Sequence, residues 1–397
     1  MASAPPRAVP TLSARDAATI RLAWQHAGFD ASVVAHILAP AEDRPTEKLL
    51  PLWLWQTREP TARNALIRLF MLARATPAAW TEAALDVAPW LQLCLLTRSR
   101  GHYAPQLSLS FHEGTPLFAD VPGDTKRPQP DHVMGATRAT LALERCLPPT
   151  NVDCALDVGT GAGLLSLRLA GRARHVFASD INRRALALAR LNLMLAGTRN
   201  VKTVASDRFR NFAGEAFDLI VGNLPFVVSP ERRFVYRDGG LPADGFAAAT
   251  VQEAGAHLKA GGQALLLVQW VHPRVSFDGR EAFERAEEDH LAPWVAGNGC
   301  HALFLRFTTE SIAEYALTWS DEPGISSPRG RAARFARWMR FYESHGIGAI
   351  STGLVVLRRA GRARPWMMVQ PFPAPTDPCG AEIIDLMDDI ASHMRRR

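Results

Sequence analysis

The chain has 397 residues, which is enough for two domains, and its hydrophobic content of 47% and charged content of 21% are typical of a globular protein. Its formal net charge of +6 permits an anionic partner without requiring one. The five cysteines are scattered and offer neither a disulfide framework nor metal-binding spacing. No apolar run approaches the roughly 18 residues of a membrane span, and no signal peptide is apparent. We therefore expect a cytoplasmic protein without a bound metal.

Helical patterns dominate the first hundred residues. Ser13 is placed to cap a helix that runs to about His26, and apolar spacing predicts further helices over 31–38, 61–75 and 78–87. Residues 107–111 then alternate as a strand does, and 116–119 follow after a short turn as its hairpin partner. We predict that residues 1–127 form a mainly helical, winged-helix-like domain that selects the substrate. The alternative is that this part only covers the sheet and mediates dimerisation.

A glycine-rich turn begins the second half of the chain. Residues 155–158 form a short apolar run, and a helical pattern starts at Leu164. Between them lie three glycines in the pattern G-x-G-x-G, namely Gly159, Gly161 and Gly163. A dinucleotide fingerprint would need its third glycine at position 164. Asp157 would repel a pyrophosphate and favour a cationic group, so a dinucleotide-dependent oxidoreductase is the less favoured alternative.

Polar residues also follow the next three predicted strands. Asp180 comes after 175–179, where a carboxylate can accept hydrogen bonds from both ribose hydroxyls. Asp207 follows 201–205 and is placed to meet an adenine amino group, and Asn223 follows 217–222. Each residue alone could be a helix cap or a turn residue. Four such residues at successive strand ends predict a site for S-adenosylmethionine, which joins adenosine to a cationic amino-acid end.

Residues 130–271 resemble a class I S-adenosylmethionine-dependent methyltransferase. The tetrad Asn223-Leu224-Pro225-Phe226 is similar to the N/D-P-P-Y/F/W signature of the branch that methylates nitrogen on planar groups. That branch includes release-factor glutamine, guanine-N2 rRNA and DNA adenine methyltransferases. Leu224 departs from the usual proline, but the role of this position uses the backbone carbonyl, which leucine keeps. The resemblance implies an α/β fold with a Rossmann-like seven-stranded sheet over residues 128–397, with a helical insertion at 309–346.

The resemblance also implies which residues form the site. The S-adenosyl-L-methionine cofactor, released as S-adenosyl-L-homocysteine, is expected to contact Asp157, Gly159, Thr160, Gly161, Gly163, Asp180, Ile181, Asp207, Arg208 and Asn223. The catalytic residues are expected to be Asn223, Leu224, Pro225 and Phe226. A lid over 227–245 and the end of the fifth strand are expected to bring four residues to the substrate, namely Tyr236, Arg237, Asp238 and Trp270. The helix at 131–147 precedes the first strand and can fold over the cofactor.

The expected activity is N-methylation of a planar amide, amidine or amine nitrogen of a protein or an RNA. The alternative is a small-molecule or peptide N-methyltransferase of specialised metabolism. O-methylation and non-catalytic cofactor binding are less favoured, because the tetrad is nearly complete. The insertion interleaves basic and aromatic residues, which could bind nucleic acid, but their helical spacing favours an ordinary amphipathic helix. The sequence does not decide the acceptor or the oligomeric state.

Overall fold

The computed structural model describes residues 8–39, 46–122, 129–231, 237, 239–274, 280–320 and 327–395. At its centre is an eight-stranded sheet. Its strands are β1 (Val152–Val158), β2 (Ala173–Asp180), β3 (Val201–Ala205), β4 (Phe217–Asn223), β5 (Leu258–Pro273), β6 (Cys300–Ser311), β7 (Ile347–Arg359) and β8 (Met367–Pro371).

The strand order is β8-β6-β7-β5-β4-β1-β2-β3. Strands β1 to β5 are parallel, and β7 runs antiparallel to both β5 and β6. The order 3-2-1-4-5 is that of a Rossmann-like sheet, so the predicted fold class is confirmed. The sheet has one strand more than the seven predicted, because β8 pairs in parallel with β6 at the outer edge. Strand order reverses between β1 and β4, where ligands of open α/β sheets bind.

Eight helices of the described residues belong to this part of the chain. They are α1 (Arg138–Arg145), α2 (Leu164–Ala170), α3 (Arg183–Leu195), α4 (Gly245–Ala254), α5 (Arg280–Val295), α6 (Ile312–Ser320), α7 (Pro328–Ser344) and α8 (Gly380–Arg395). Apolar residues of α4 and α5 pack on one face of the sheet, and those of α1, α2 and α8 pack on the other. Because successive side chains of a strand point to opposite faces, each buried strand contributes to both cores. Helices α6 and α7 lie between β6 and β7, in the segment where an insertion is predicted.

The N-terminal part is mainly helical, as predicted. Its helices are Ala14–His26, Ala31–Ile37, Thr46–Gln56, Ala62–Leu66 with a π-helical turn Ile67–Met71, Ala78–Ala84 and Ala88–Gln92. A three-stranded sheet places His102–Pro105 between Thr76–Pro77 and Leu96–Ser99. In chain order these elements are a short strand, two helices and a two-stranded hairpin. The separately predicted hairpin is also present, as Leu107–His112 paired with Thr115–Asp120.

One hydrophobic core joins the N-terminal part to α3. Residues from the N-terminal helices and both hairpins pack in the same cluster as Ala185, Leu188 and Leu191 of α3. An ion pair supports the contact, since Arg184 Nε donates to Asp120 Oδ2 at 2.9 Å and both side chains are almost fully buried. Helix α3 begins just after β2, so the N-terminal part is attached directly beside the predicted cofactor site. Among the described helices, none is long and apolar enough to cross a membrane.

Candidate functional site

The turn after β1 has the backbone conformation that its glycines permit. Gly159, Gly161 and Gly163 have φ values of 73°, 55° and 93°, a region that residues with a Cβ rarely adopt. At Gly163 a Cβ would also lie 3.2 Å from the Cα of Ala189 in α3. At Gly161 a Cβ would meet nothing within 4 Å. The turn therefore packs closely against α3 on one side and leaves backbone open to a ligand on another.

Asp157 lies at the end of β1 and is fully buried. Its Oδ2 accepts hydrogen bonds from the hydroxyls of Thr160 (2.7 Å) and Ser166 (2.6 Å). Its Oδ1 is buried and has no hydrogen-bond partner in the described structure. Burial raises the pKa of Asp157 to about 6, although the two hydroxyl donors act in the opposite direction. An unpaired buried carboxylate oxygen is costly, and a cationic or N–H donor group would satisfy it.

Asp180 ends β2 and faces the glycine turn. Its Oδ2 accepts the N–H of Gly161 at 3.0 Å, and its Oδ1 accepts the N–H of Asn182 at 2.8 Å. Burial raises the pKa of this carboxyl, whereas the backbone donors lower it. The next residue, Ile181, is an apolar side chain that is 59% exposed. A carboxylate with remaining lone pairs beside an exposed apolar surface suits a ribose with an attached aromatic ring.

The end of β3 is less defined as a binding site. The side chain of Asp207 is 50% exposed. Arg208 has a φ of 47° and directs its guanidinium toward α4, where it lies 3.2 Å from Glu253 and 5.6 Å from the ring centroid of Phe246. The predicted contacts of Asp207 and Arg208 with the cofactor stay predictions.

Asn223 ends β4 beside the glycine turn. A Cβ on Gly159 would lie 3.8 Å from the carbonyl oxygen of Asn223, so the two strand ends are neighbours. The side-chain Nδ2 of Asn223 donates to Thr140 Oγ1 of α1 at 2.9 Å. Its Oδ1 is buried and accepts from no group that the structure describes. The structure therefore brings an unused amide acceptor to the edge of the sheet that carries Asp157 and Asp180.

The rest of the tetrad forms part of a cavity wall. Leu224 is buried, and its N–H points at the carbonyl of Leu267 in β5 at 3.4 Å. Pro225 and Phe226 line a cavity of about 190 Å³. The other walls come from residues 239–247 and from Phe341 and His345 at the end of α7. The cavity thus lies between the tetrad, the segment predicted as a lid and the insertion.

The insertion holds the segment after the tetrad in place. Val228 donates its N–H to the hydroxyl of Tyr315 in α6 at 3.1 Å, and its carbonyl accepts from the hydroxyl of Tyr342 in α7 at 2.9 Å. Glu231 is almost buried and accepts hydrogen bonds from Arg237 (3.1 Å) and Arg334 of α7 (2.7 Å). The two tyrosine contacts hold both backbone polar groups of Val228, which lies two positions beyond Phe226.

Two of the predicted substrate residues can be located. Arg237 is 7% exposed and forms the ion pair with Glu231, so it supports the cavity wall. The predicted contact of Trp270 with the substrate is wrong. The Trp270 side chain is fully buried, packs against Phe304 and donates from Nε1 to Glu287 Oε1 at 2.9 Å. It is not available to a substrate, because β5 continues to Pro273 and keeps it inside the sheet. Tyr236 and Asp238 lie outside the described residues.

Sequence reasoning missed four residues that organise the site, namely Thr140, Glu231, Tyr315 and Tyr342. Their partners lie 83 to 114 positions away in the chain, apart from the Glu231–Arg237 pair. The aromatic content of the insertion was the signal for Tyr315 and Tyr342, whereas Thr140 and Glu231 lie outside the insertion. In the part of the chain that the structure describes, no group of three or more His, Cys, Asp or Glu side chains could hold a metal ion.

The family model of the methyltransferase small domain matches one part of the chain, residues 135–288. This part contains the glycine turn, both aspartates and the tetrad. The match begins just before α1 and ends within α5. The α/β fold of this part of the chain agrees with the match.

Similar proteins include methyltransferases of translation components. The chain is 33% identical to release factor glutamine methyltransferase of Deinococcus radiodurans over 195 residues, which are 46% of this chain and 64% of that protein. It is 34% identical to the enzyme of the same name from Buchnera aphidicola over 117 residues (29% and 40%). It is 41% identical to ribosomal protein L11 methyltransferase of Caldanaerobacter subterraneus over 69 residues (17% and 22%). The chain thus spans less than two thirds of the length of each of these relatives.

Proposed function

We propose that the protein is an S-adenosylmethionine-dependent N-methyltransferase that acts on a planar amide, amidine or amine nitrogen. The observation that carries this proposal is the buried, unpartnered Oδ1 of Asn223 beside the glycine turn. A buried acceptor without a partner is rare unless a ligand supplies the missing donor. The N–H group of a methyl acceptor is such a donor.

Three features support S-adenosylmethionine as the cofactor. The unpaired Oδ1 of Asp157 can accept from the ammonium of the amino-acid end, and Asp180 can accept from the ribose hydroxyls. Ile181 offers an exposed apolar face to the adenine ring. When bound, this cofactor supplies a methyl group on a positively charged sulfur. The predicted roles of Thr160, Asp207 and Arg208 belong to the same proposal.

The chain's contribution to methyl transfer is orientation. An amide or ring-amine nitrogen is a poor nucleophile because its lone pair is delocalised. Asn223 Oδ1 and the carbonyl of Leu224 would accept the two N–H bonds of that nitrogen, which aims its lone pair at the methyl carbon. Pro225 stiffens the turn, and Phe226 would stack on the planar group. No general base is needed before transfer in this arrangement.

We infer that the acceptor belongs to a protein or an RNA. Relatives are named for release factors and ribosomal proteins, which supports an acceptor in the translation apparatus and a cytoplasmic location. The cavity of about 190 Å³ accommodates one planar side chain or base. A small-molecule or peptide acceptor is the alternative, and the moderate size of the cavity is the observation in its favour.

Calorimetric titration with S-adenosylhomocysteine, alongside NADH, tests the cofactor assignment. We expect the wild type to bind S-adenosylhomocysteine and not NADH. Asp180→Ala should weaken binding by about 100-fold, because hydrogen bonds to a charged group are lost. Asn151→Ala is the matched control, since this exposed residue lies at the opposite end of β1. Absence of binding by the wild type would contradict the proposal.

The acceptor class is tested with radiolabelled S-adenosylmethionine. Purified release factor, ribosomal proteins, ribosomal RNA and amino-acid amides are incubated separately with the wild type, Asn223→Ala and Asn151→Ala. We expect label in a protein or RNA fraction with the wild type and the control, and a loss of at least about 100-fold with Asn223→Ala. Label in a methyl ester, shown by its release in mild base, or in a 2′-O-methyl nucleoside after digestion of the RNA, would contradict N-methylation.

A further inference from the structure

The side chain of Asn223 is held by a residue that no strand-end pattern identified. Its Nδ2 donates to the hydroxyl oxygen of Thr140, 2.9 Å away, in the first turn of α1. This is the only hydrogen bond of the Asn223 side chain among the described residues, since its Oδ1 has none. The orientation of the amide therefore depends on Thr140.

A hydroxyl group alone would not decide that orientation. It could accept from Nδ2, or it could donate to Oδ1 if the amide were turned over. The neighbouring Thr137 is a second partner of the Thr140 hydroxyl. Its Oγ1 lies 3.0 Å from Thr140 Oγ1 and already accepts the Thr140 backbone N–H at 3.1 Å, as the N-cap of α1. Either hydroxyl can donate across this pair, and in the arrangement in which the Thr140 hydrogen is directed at Thr137 the Thr140 oxygen is left as an acceptor for Asn223 Nδ2.

We propose that Thr140 is a positioning residue. Thr137 orients the Thr140 hydroxyl, and this hydroxyl holds the Asn223 amide so that Oδ1 faces the methyl acceptor. The inference rests on the proposed function. A hydroxyl that accepts can pair only with Nδ2, so the two amide orientations are no longer equivalent. In the turned-over orientation Asn223 would present N–H groups to the N–H groups of the acceptor, and the two sets of donors would repel each other. Helix α1 thereby couples its N-cap to the catalytic asparagine.

Two cofactor analogues that differ at the sulfur and its methyl position test this role without knowledge of the acceptor. S-adenosylhomocysteine has no group there, whereas sinefungin carries an amine whose N–H bonds require an acceptor. The dissociation constants of both are measured calorimetrically for the wild type, Asn223→Ala, Thr140→Val and Thr140→Ser. Thr97→Val is the control, because Thr97 is an exposed threonine of the N-terminal sheet.

We expect the ratio of the sinefungin Kd to the S-adenosylhomocysteine Kd to rise about tenfold in Asn223→Ala and in Thr140→Val. Thr140→Ser keeps the hydroxyl and should restore the wild-type ratio, and Thr97→Val should not change it. An unchanged ratio in Thr140→Val, or an equal rise in both dissociation constants, overturns the positioning role. If the wild type binds neither compound, the proposed function itself fails and the inference falls with it.

Discussion

Asn192 pairs with both backbone polar groups of Phe118. Its Oδ1 accepts the Phe118 N–H at 2.8 Å, and its Nδ2 donates to the Phe118 carbonyl at 2.9 Å. The same Nδ2 donates to the carbonyl of Ala162 in the glycine turn at 2.8 Å. One buried amide thus joins the N-terminal hairpin, helix α3 and the candidate cofactor site.

Replacing Asn192 by Ala should lower the free energy of unfolding by about 3 kcal/mol, because three buried backbone groups lose their partner. Cofactor affinity should fall as well, since the carbonyl of Ala162 helps to hold the glycine turn. Urea-induced unfolding and titration with S-adenosylhomocysteine measure the two effects. The exposed Asn151→Ala should change stability by no more than about 0.5 kcal/mol. An equally small effect of Asn192→Ala would show that the N-terminal part is only loosely attached.

The buried carboxyl of Asp157 should make stability depend on pH. Its pKa in the folded protein is raised to about 6 from the ordinary 3.8, so the folded chain holds a proton that the unfolded chain releases. Without ligand, stability should therefore fall as pH rises from about 4 to about 6, by up to about 3 kcal/mol. Asp157→Asn should flatten this part of the profile, measured by urea unfolding at each pH.

Deprotonation of Asp157, which lowers stability, should raise the affinity for the ligand. A cationic ligand group prefers the carboxylate form of Asp157, so affinity for S-adenosylhomocysteine should rise as pH increases from about 5 to 7. Asp180 has a raised pKa as well and contributes in the same direction. Asp157→Asn should weaken binding at pH 7 more than at pH 5. Binding that is equally strong at both pH values in the wild type would contradict a contact with Asp157.

Removing the hydroxyl of Tyr342 should disturb acceptor binding and leave cofactor binding unchanged. The Tyr342 hydroxyl donates to the carbonyl of Val228, which lies between the cavity-lining residues Val227 and Ser229. In Tyr342→Phe we expect the acceptor KM to rise about threefold to tenfold with S-adenosylhomocysteine affinity preserved. Tyr103→Phe is the matched control, because that hydroxyl bonds to Glu82 in the N-terminal part. An equal loss of cofactor binding would show that the insertion supports the whole sheet edge.

Trp270 should behave as a structural residue. Trp270→Phe leaves a cavity and removes the donor that Glu287 accepts from, so the free energy of unfolding should fall by about 2–3 kcal/mol. The acceptor KM should stay within about twofold of the wild type. A large rise in KM at unchanged stability would restore the contact with substrate that the sequence suggested.

The elements that bind the proposed cofactor could be predicted because their signals are local. The turn glycines, Asp157 and Asp180 lie within a few residues of the strand that positions each of them, and strand and helix patterns alternate around them. The position of Asn223 at a strand end follows from the same alternation. The Rossmann-like order then brings these strand ends together without further information.

The acceptor side could not be predicted in the same way, because it depends on contacts between distant segments. Val228 and Tyr342 are 114 positions apart, and Glu231 and Arg334 are 103 positions apart. No periodic pattern encodes such a pairing. The error at Trp270 has a related cause: Trp270 was expected at the end of the fifth strand, but pairing with the long antiparallel β7 extends β5 to Pro273.

That extension also determines how a substrate can approach. Strand β4 ends at Asn223, opposite Leu267 of β5, and β5 continues from 268 to 273. At about 3.3 Å per residue, β5 rises about 20 Å above the tetrad. Strand β7 pairs with β5 along this whole extension, and Val271 packs in the same cluster as Val227 and Val228. Because this pair of strands extends beyond the strand end that carries Asn223, we expect the methylated group to project from a narrow loop or a chain end.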